Sequence, residues 1–160
     1  CIRDSKKAVA EILTEEAVEK AGYDSLDAAK EEGTAFVFMG HGTSHTAKVS
    51  YSQMQAQMKE LGYENVFIGT VEGEPEETAC EEVIKAVSAA GYKKVILRPL
   101  MVVAGDHANN DMAGDEDGSW KTEFEKAGFE VTTVVEGLGS VQAIQDLFVA
   151  HAQAAIDSLK

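Results

Sequence analysis

Three side chains combine type and position in a way that suits metal or proton chemistry. His41 lies in "FMGHGTSHTA", directly after an apolar run and between Gly40 and Gly42. His107 lies in "VVAGDHANND", again directly after an apolar run. Glu72 is the first carboxylate after another such run, in "GTVEGEP". Two imidazoles and a carboxylate converging on one place suit a borderline divalent ion such as Co, Ni, Fe or Zn. Neutral imidazole is also the natural base near neutral pH. His45 and His151 are expected to be ordinary hydrogen-bonding residues, the second on a helix.

Sequence-local motifs for other chemistry fail. There is no CxxC and no HExxH. The spacing in "HGTSH" is i,i+4, but its glycine and position make it a loop. "NNDMAG" lacks the further ligands of a calcium loop. "GLGSVQ" lacks the third glycine of a dinucleotide fingerprint, and neither GxxxxGK[ST] nor GxSxG occurs.

The elements that must position the three residues are legible. Four short, β-branched-rich runs at 34–39, 65–71, 94–103 and 130–137 read as strands buried on both faces. Helical patterns at 5–21, 47–61, 77–90, 119–127 and 141–158 alternate with them. Gly62, Gly91 and Gly128 mark helix stops, each shortly before the next strand. Strand–helix alternation implies a parallel sheet. The expected fold is a three-layer α/β domain, four parallel strands with helices on both faces, of flavodoxin-like topology. Residues 1–33 form a linking helical segment and 34–160 the α/β domain. In such sheets ligands bind beyond the carboxyl ends of the strands. The loops "GHGTSHTA", "VEGEPEE", "AGDHANNDMAGDEDG" and "EGLGS" follow the four strands, so His41, Glu72 and His107 share that rim.

Bulk properties narrow the partners. The 160 residues carry 14 basic and 28 acidic side chains, a net charge of −14. Nucleic acid is disfavoured by such a surface. No apolar run reaches the roughly 18 residues of a membrane span. Cys1 and Cys80 make no disulfide framework, and Cys80, on a helix, is expected to be an inert thiol. The chain opens without Met inside an amphipathic helix pattern, so a piece of a longer chain is expected. A cytoplasmic location is expected, with an exported form left open.

"FMGHGTSHTA", "GTVEGEP", "RPLMVVAGDHANNDMAGDEDGSWK" and "EGLGS…FVAH", spread over about residues 34–155, resemble the anaerobic-type sirohydrochlorin cobalt chelatases. These are class II chelatases related to ferrochelatase. The resemblance implies insertion of Co²⁺ into sirohydrochlorin, without ATP, on the route to cobalamin. It implies metal contacts at His41, Glu72 and His107, with the two histidines as the catalytic groups that take pyrrole protons. Sirohydrochlorin carries many carboxylates. Backbone N–H groups after "GHGTS" and "EGLGS", with Gly42, Thr43, Gly105, Gly137 and Gly139 as contact residues, are expected to attract them. Members of the family are usually longer, with two α/β halves around a tetrapyrrole cleft. This chain matches the carboxyl-terminal half, so the other wall is expected from a missing amino-terminal half or from a second copy. Three alternatives stay open: an iron or nickel chelatase, a non-catalytic tetrapyrrole- or metal-binding protein, and a flavodoxin-like binding module.

Overall fold

A computed structural model describes the backbone of residues 2–159 and the side chains of residues 5–159; Cys1 lies outside the described residues. The four strands are β1 (Thr34–Gly40), β2 (Val66–Thr70), β3 (Lys94–Pro99) and β4 (Glu130–Thr133). They pair in parallel in the order β2-β1-β3-β4. The chain builds outward from β1 to β2, then returns to the other side of β1 with β3. The gap between the ends of β1 and β3 is therefore the switch point of the sheet.

The helices are α1 (Ile2–Lys20), α2 (Leu26–Glu31), α3 (Val49–Glu60), α4 (Cys80–Ala89), α5 (Trp120–Lys126) and α6 (Gln142–Asp157). Every residue of β1 is buried, which requires cover on both faces. Phe36, Phe38, Ile68 and Ile96 pack with Ala10, Leu13 and Ala17 of α1 and Met54 and Met58 of α3. Val37, Met39, Val95 and Leu97 pack on the opposite face with Val83 and Val87 of α4 and Trp120 and Phe124 of α5. The segment before β1 thus supplies part of the core. Edge strand β2 is closed by Gln55 of α3. Its amide donates to the Val66 carbonyl at 3.0 Å and its Oε1 accepts from the Ile68 N–H at 2.8 Å.

The elements depart most from the sequence reading in four places. β3 ends at Pro99, although the apolar run continues to 103. Proline has no N–H for a further rung toward β4, the last bond to β1 runs from the Leu100 N–H to the Met39 carbonyl at 2.7 Å, and Val102 and Val103 are solvent-exposed loop residues. β4 ends at Thr133, not 137: one more bond runs from the Val134 N–H to Leu97, and then the chain turns away from the sheet. Helix α2 was not anticipated. Its six residues are too few for a periodic signal, and it is nucleated by Ser25, whose side chain accepts from the Ala28 N–H. Finally, the post-β3 segment read as loop contains a π-helical turn, His107–Met112.

Candidate metal centre at the switch point

β1 delivers His41 and β3 delivers His107 to the switch point. Their rings meet edge to face, with centroids 4.7 Å apart and an interplanar angle of 80°. An ion held at about 2.0–2.1 Å by one nitrogen of each ring would lie about 3.2 Å from each centroid. Two imidazoles sharing it at about 90–110° would then have centroids about 4.5–5.2 Å apart. The observed separation falls inside that window.

Each ring is tied at Nδ1. His41 Nδ1 lies 2.9 Å from the Gly42 carbonyl oxygen. His107 Nδ1 lies 2.5 Å from Asp111 Oδ2, one turn further along the π-helical turn. A carbonyl or carboxylate oxygen only accepts, so Nδ1 donates in both cases. In the neutral form of each ring this leaves the lone pair on Nε2.

The loop holding His41 is built by close approach. Gly42 has φ +92°, and a Cβ there would lie 2.9 Å from Glu72 Cβ. Its N–H donates to Tyr51 Oη at 3.1 Å, and the Glu72 N–H donates to the His41 carbonyl at 2.9 Å. Glu72 is thereby fixed beside the His41 loop by its backbone. Among the described residues, no three His, Cys, Asp or Glu side chains gather closely enough to hold a metal ion. The structure brings the two imidazoles together without assembling the Glu72 carboxylate into a three-ligand set with them.

His107 stands on a well-anchored support. Ala108 and Met112 of the same turn are fully buried, and Met112 belongs to the core beneath the sheet. Asn109 donates to the Gly105 carbonyl at 2.7 Å, and Asn110 donates to Asp106 at 2.7 Å. The post-β4 loop braces this region from the side. The Leu138 and Gly139 N–H groups donate to Met101 and Val102 carbonyls at 2.8 and 2.9 Å. A Cβ at Gly137 would lie 2.5 Å from the Val102 oxygen, and one at Gly139 would lie 2.9 Å from it. Glycine at 42, 137 and 139 therefore has a packing reason of its own. No atom lies within 4 Å of a Cβ built at Gly105, and Thr43 Oγ1 accepts from the His45 N–H.

The other histidines are used locally. His45 Nδ1 accepts from the Ala47 N–H at 3.1 Å, capping the short turn before α3. His151 lies on α6, 3.3 Å from Ser5 Oγ. Burial, with Glu123 and Glu81 adding to it, pushes the Cys80 thiol up to about 12, which keeps it protonated and unreactive near neutral pH. Two residues that support the site, Asp111 and Tyr51, were missed. The i,i+4 spacing of His107 and Asp111 was visible, but it places them together only if the segment is helical.

Residues 13–157 match the family described as Cobalt chelatase (CbiK). The chain belongs to the cobalt chelatase family. Sirohydrochlorin cobaltochelatase of Salmonella typhimurium is 42% identical over 121 residues, 76% of this chain and 44% of that protein. Sirohydrochlorin cobaltochelatase CbiKC of Nitratidesulfovibrio vulgaris is 34% identical over 134 residues, 84% of this chain and 46% of that protein. The chain spans about half the length of these curated relatives. Among solved structures, a cobalamin (vitamin B12) biosynthesis CbiX protein from Marinobacter aquaeolei superposes with a TM-score of 0.56 at 18% identity, covering 79% of this chain and 97% of that one. That likeness establishes a shared fold. No helix among the described residues is long and apolar enough to cross a membrane.

Proposed function

We propose that this domain takes part in inserting Co²⁺ into sirohydrochlorin, without ATP, for cobalamin synthesis in the cytoplasm. The observation that carries the reading is the His41–His107 pair at the switch point of a cobalt chelatase family chain. Metallation exchanges two pyrrole N–H protons for one divalent ion. Nε2 of each imidazole holds the ion as substrate, Glu72 balances its charge, and the two imidazoles released by the departing ion each take up one of the two pyrrole protons. Gly42, Thr43, Gly105, Gly137 and Gly139 line the approach to the ring. Contacts to remote parts of the macrocycle drive the bending that exposes its nitrogens.

A second α/β unit closes the other side of the macrocycle. The relatives' roughly doubled length supports this. So do exposed apolar side chains: Val102 and Val103 in the loop after β3, and Phe148 and Val149 on α6. Residues 147–156 of α6 carry no formal charge in a chain of net charge −14.

The test is sirohydrochlorin absorbance under anaerobic conditions with Co²⁺, and with Ni²⁺ and Fe²⁺ in parallel, using the natural polypeptide that contains this chain. Catalytic turnover fastest with Co²⁺ is expected. A stoichiometric complex that stops there would mark a binding protein, and a faster rate with another metal would mark a different chelatase. Glu72→Gln is expected to weaken Co²⁺ binding with little effect on folding. Unchanged affinity with lost activity would move Glu72 from ligation to proton transfer.

A further inference from the structure

The carboxylate of Asp111 has a specific use in this structure. It sits 2.5 Å from His107 Nδ1, and among the described residues no lysine or arginine pairs with it. That is unusual company for a carboxylate on this acidic rim, where neighbours such as Glu74, Asp115 and Asp117 are taken up by Lys48, Lys121 and Lys126. The His107–Asp111 pair is set by backbone geometry. The π-helical turn His107–Met112 places the two residues on one side, while Ala108 and Met112 are buried on the other.

We propose that Asp111 is a positioning residue for His107. It accepts the Nδ1 proton, fixes the plane of the ring against rotation, and holds the tautomer whose Nε2 faces the divalent ion. The Gly42 carbonyl performs the same service for His41 at 2.9 Å, so both rings present the same nitrogen. A carboxylate partner also makes the imidazole a stronger donor than a carbonyl partner does. The two ligands are therefore unequal, and His107 is the tighter-held side of the pair. Free histidine favours the opposite tautomer, so without Asp111 the ring would turn its N–H toward the ion and lose the lone pair there. This assignment rests on the reading of His41 and His107 as metal ligands, but its first readout needs neither metal nor turnover.

The experiment compares Asp111→Ala and Asp111→Asn with the unmodified chain. Nitrogen NMR of metal-free protein, at a pH where imidazole is neutral, reports the His107 tautomer. Titration with Co²⁺ alone reports affinity. The unmodified chain should show His107 protonated at Nδ1. Asp111→Ala should move the proton to Nε2 and weaken Co²⁺ binding by about 10–100-fold. Its thermal midpoint should be nearly unchanged, because both side chains are partly exposed. Asp111→Asn keeps an accepting oxygen, so it should retain the Nδ1 tautomer and recover part of the affinity. An unmodified His107 protonated at Nε2, or a tautomer unaffected by Asp111→Ala, would overturn the proposal. So would unchanged affinity in Asp111→Ala. Failure of the unmodified chain to bind Co²⁺ while the tautomer still follows Asp111 would instead sink the metal reading and leave the orienting contact standing.

Discussion

The ring of Tyr51 occupies the space that a side chain at residue 40 would need: a Cβ built on Gly40 lies 2.3 Å from Tyr51 Cε1. The same tyrosine accepts the Gly42 N–H at 3.1 Å, so one residue of α3 secures both glycines flanking His41. Gly40→Ala should therefore cost about 1–3 kcal/mol through overpacking. Tyr51→Phe, which keeps the ring and loses the hydroxyl, should cost about 0.5–1.5 kcal/mol. Urea unfolding measures both. A Gly40→Ala protein as stable as its parent would mean the ring moves aside freely.

His41→Ala and His107→Ala should each remove most cobalt insertion in the natural polypeptide while leaving the circular dichroism spectrum and unfolding midpoint close to the parent. His41 sits in the loop after β1 and His107 opens the π-helical turn, both outside the two core clusters. His151→Ala should be silent in the same assay. Loss of activity in His151→Ala comparable to the other two would place the metal site away from the His41–His107 pair.

Arg98 of β3 is fully buried, and none of its guanidinium nitrogens has a hydrogen-bond partner among the described residues. Its Nη2 lies 3.7 Å from Glu136 Oε2, and Lys20 holds the other oxygen of that carboxylate at 3.1 Å. A buried cation so thinly compensated costs more in desolvation than one long ion pair returns. Replacement by an apolar side chain of similar length should thus be neutral or stabilising by about 1–4 kcal/mol. Arg98→Met tests this by chemical denaturation. Glu136→Gln should do the reverse, losing about 2–3 kcal/mol. That is less than for a wholly enclosed pair, because the Glu136 side chain is 39% exposed. A strongly destabilised Arg98→Met would show that the guanidinium is better satisfied than its contacts indicate.

Cys80 gives a pH prediction. Its thiol is raised from 9.0 to about 12 in the folded chain, first by burial and then by Glu123 and Glu81. The unfolded chain releases this proton at lower pH. The thiol's contribution to stability is therefore complete below the unfolded value and is lost as pH rises toward the folded one, by about 1.4 kcal/mol per pH unit within that window. Urea midpoints measured from pH ~8 to ~10 should fall more steeply for the parent than for Cys80→Ala. Parallel slopes would place the thiol in a more solvated setting.

The alternation of apolar runs and helical patterns was enough to read the sheet, and the rule about carboxyl ends was enough to place His41 and His107 on one rim. Their direct contact follows from β1 and β3 being neighbours, which strand–helix alternation alone does not specify. Asp111 stands in a segment that reads as loop because "HANNDM" carries no helical signal of its own; buried Met112 and Ala108 impose the turn from below. Arg98 was hidden inside an apolar strand whose neighbours decide its burial. Short α2 and the early end of β3 were illegible for related reasons, since a cap and a proline act locally while the apolar pattern runs on past them.

His41 and His107 are 66 positions apart in the chain, so an ion shared between them would close a long loop much as a covalent staple does, but reversibly. Such loading would stiffen the rim, and an ion at about a hundred times its dissociation constant would add about 2.7 kcal/mol to the folded state. In the proposed reaction, handing that ion to the macrocycle would remove the staple in the same event. The rim would then be slackest just after metallation, when the product has to leave, and most rigid just before it, when the ring has to be held bent.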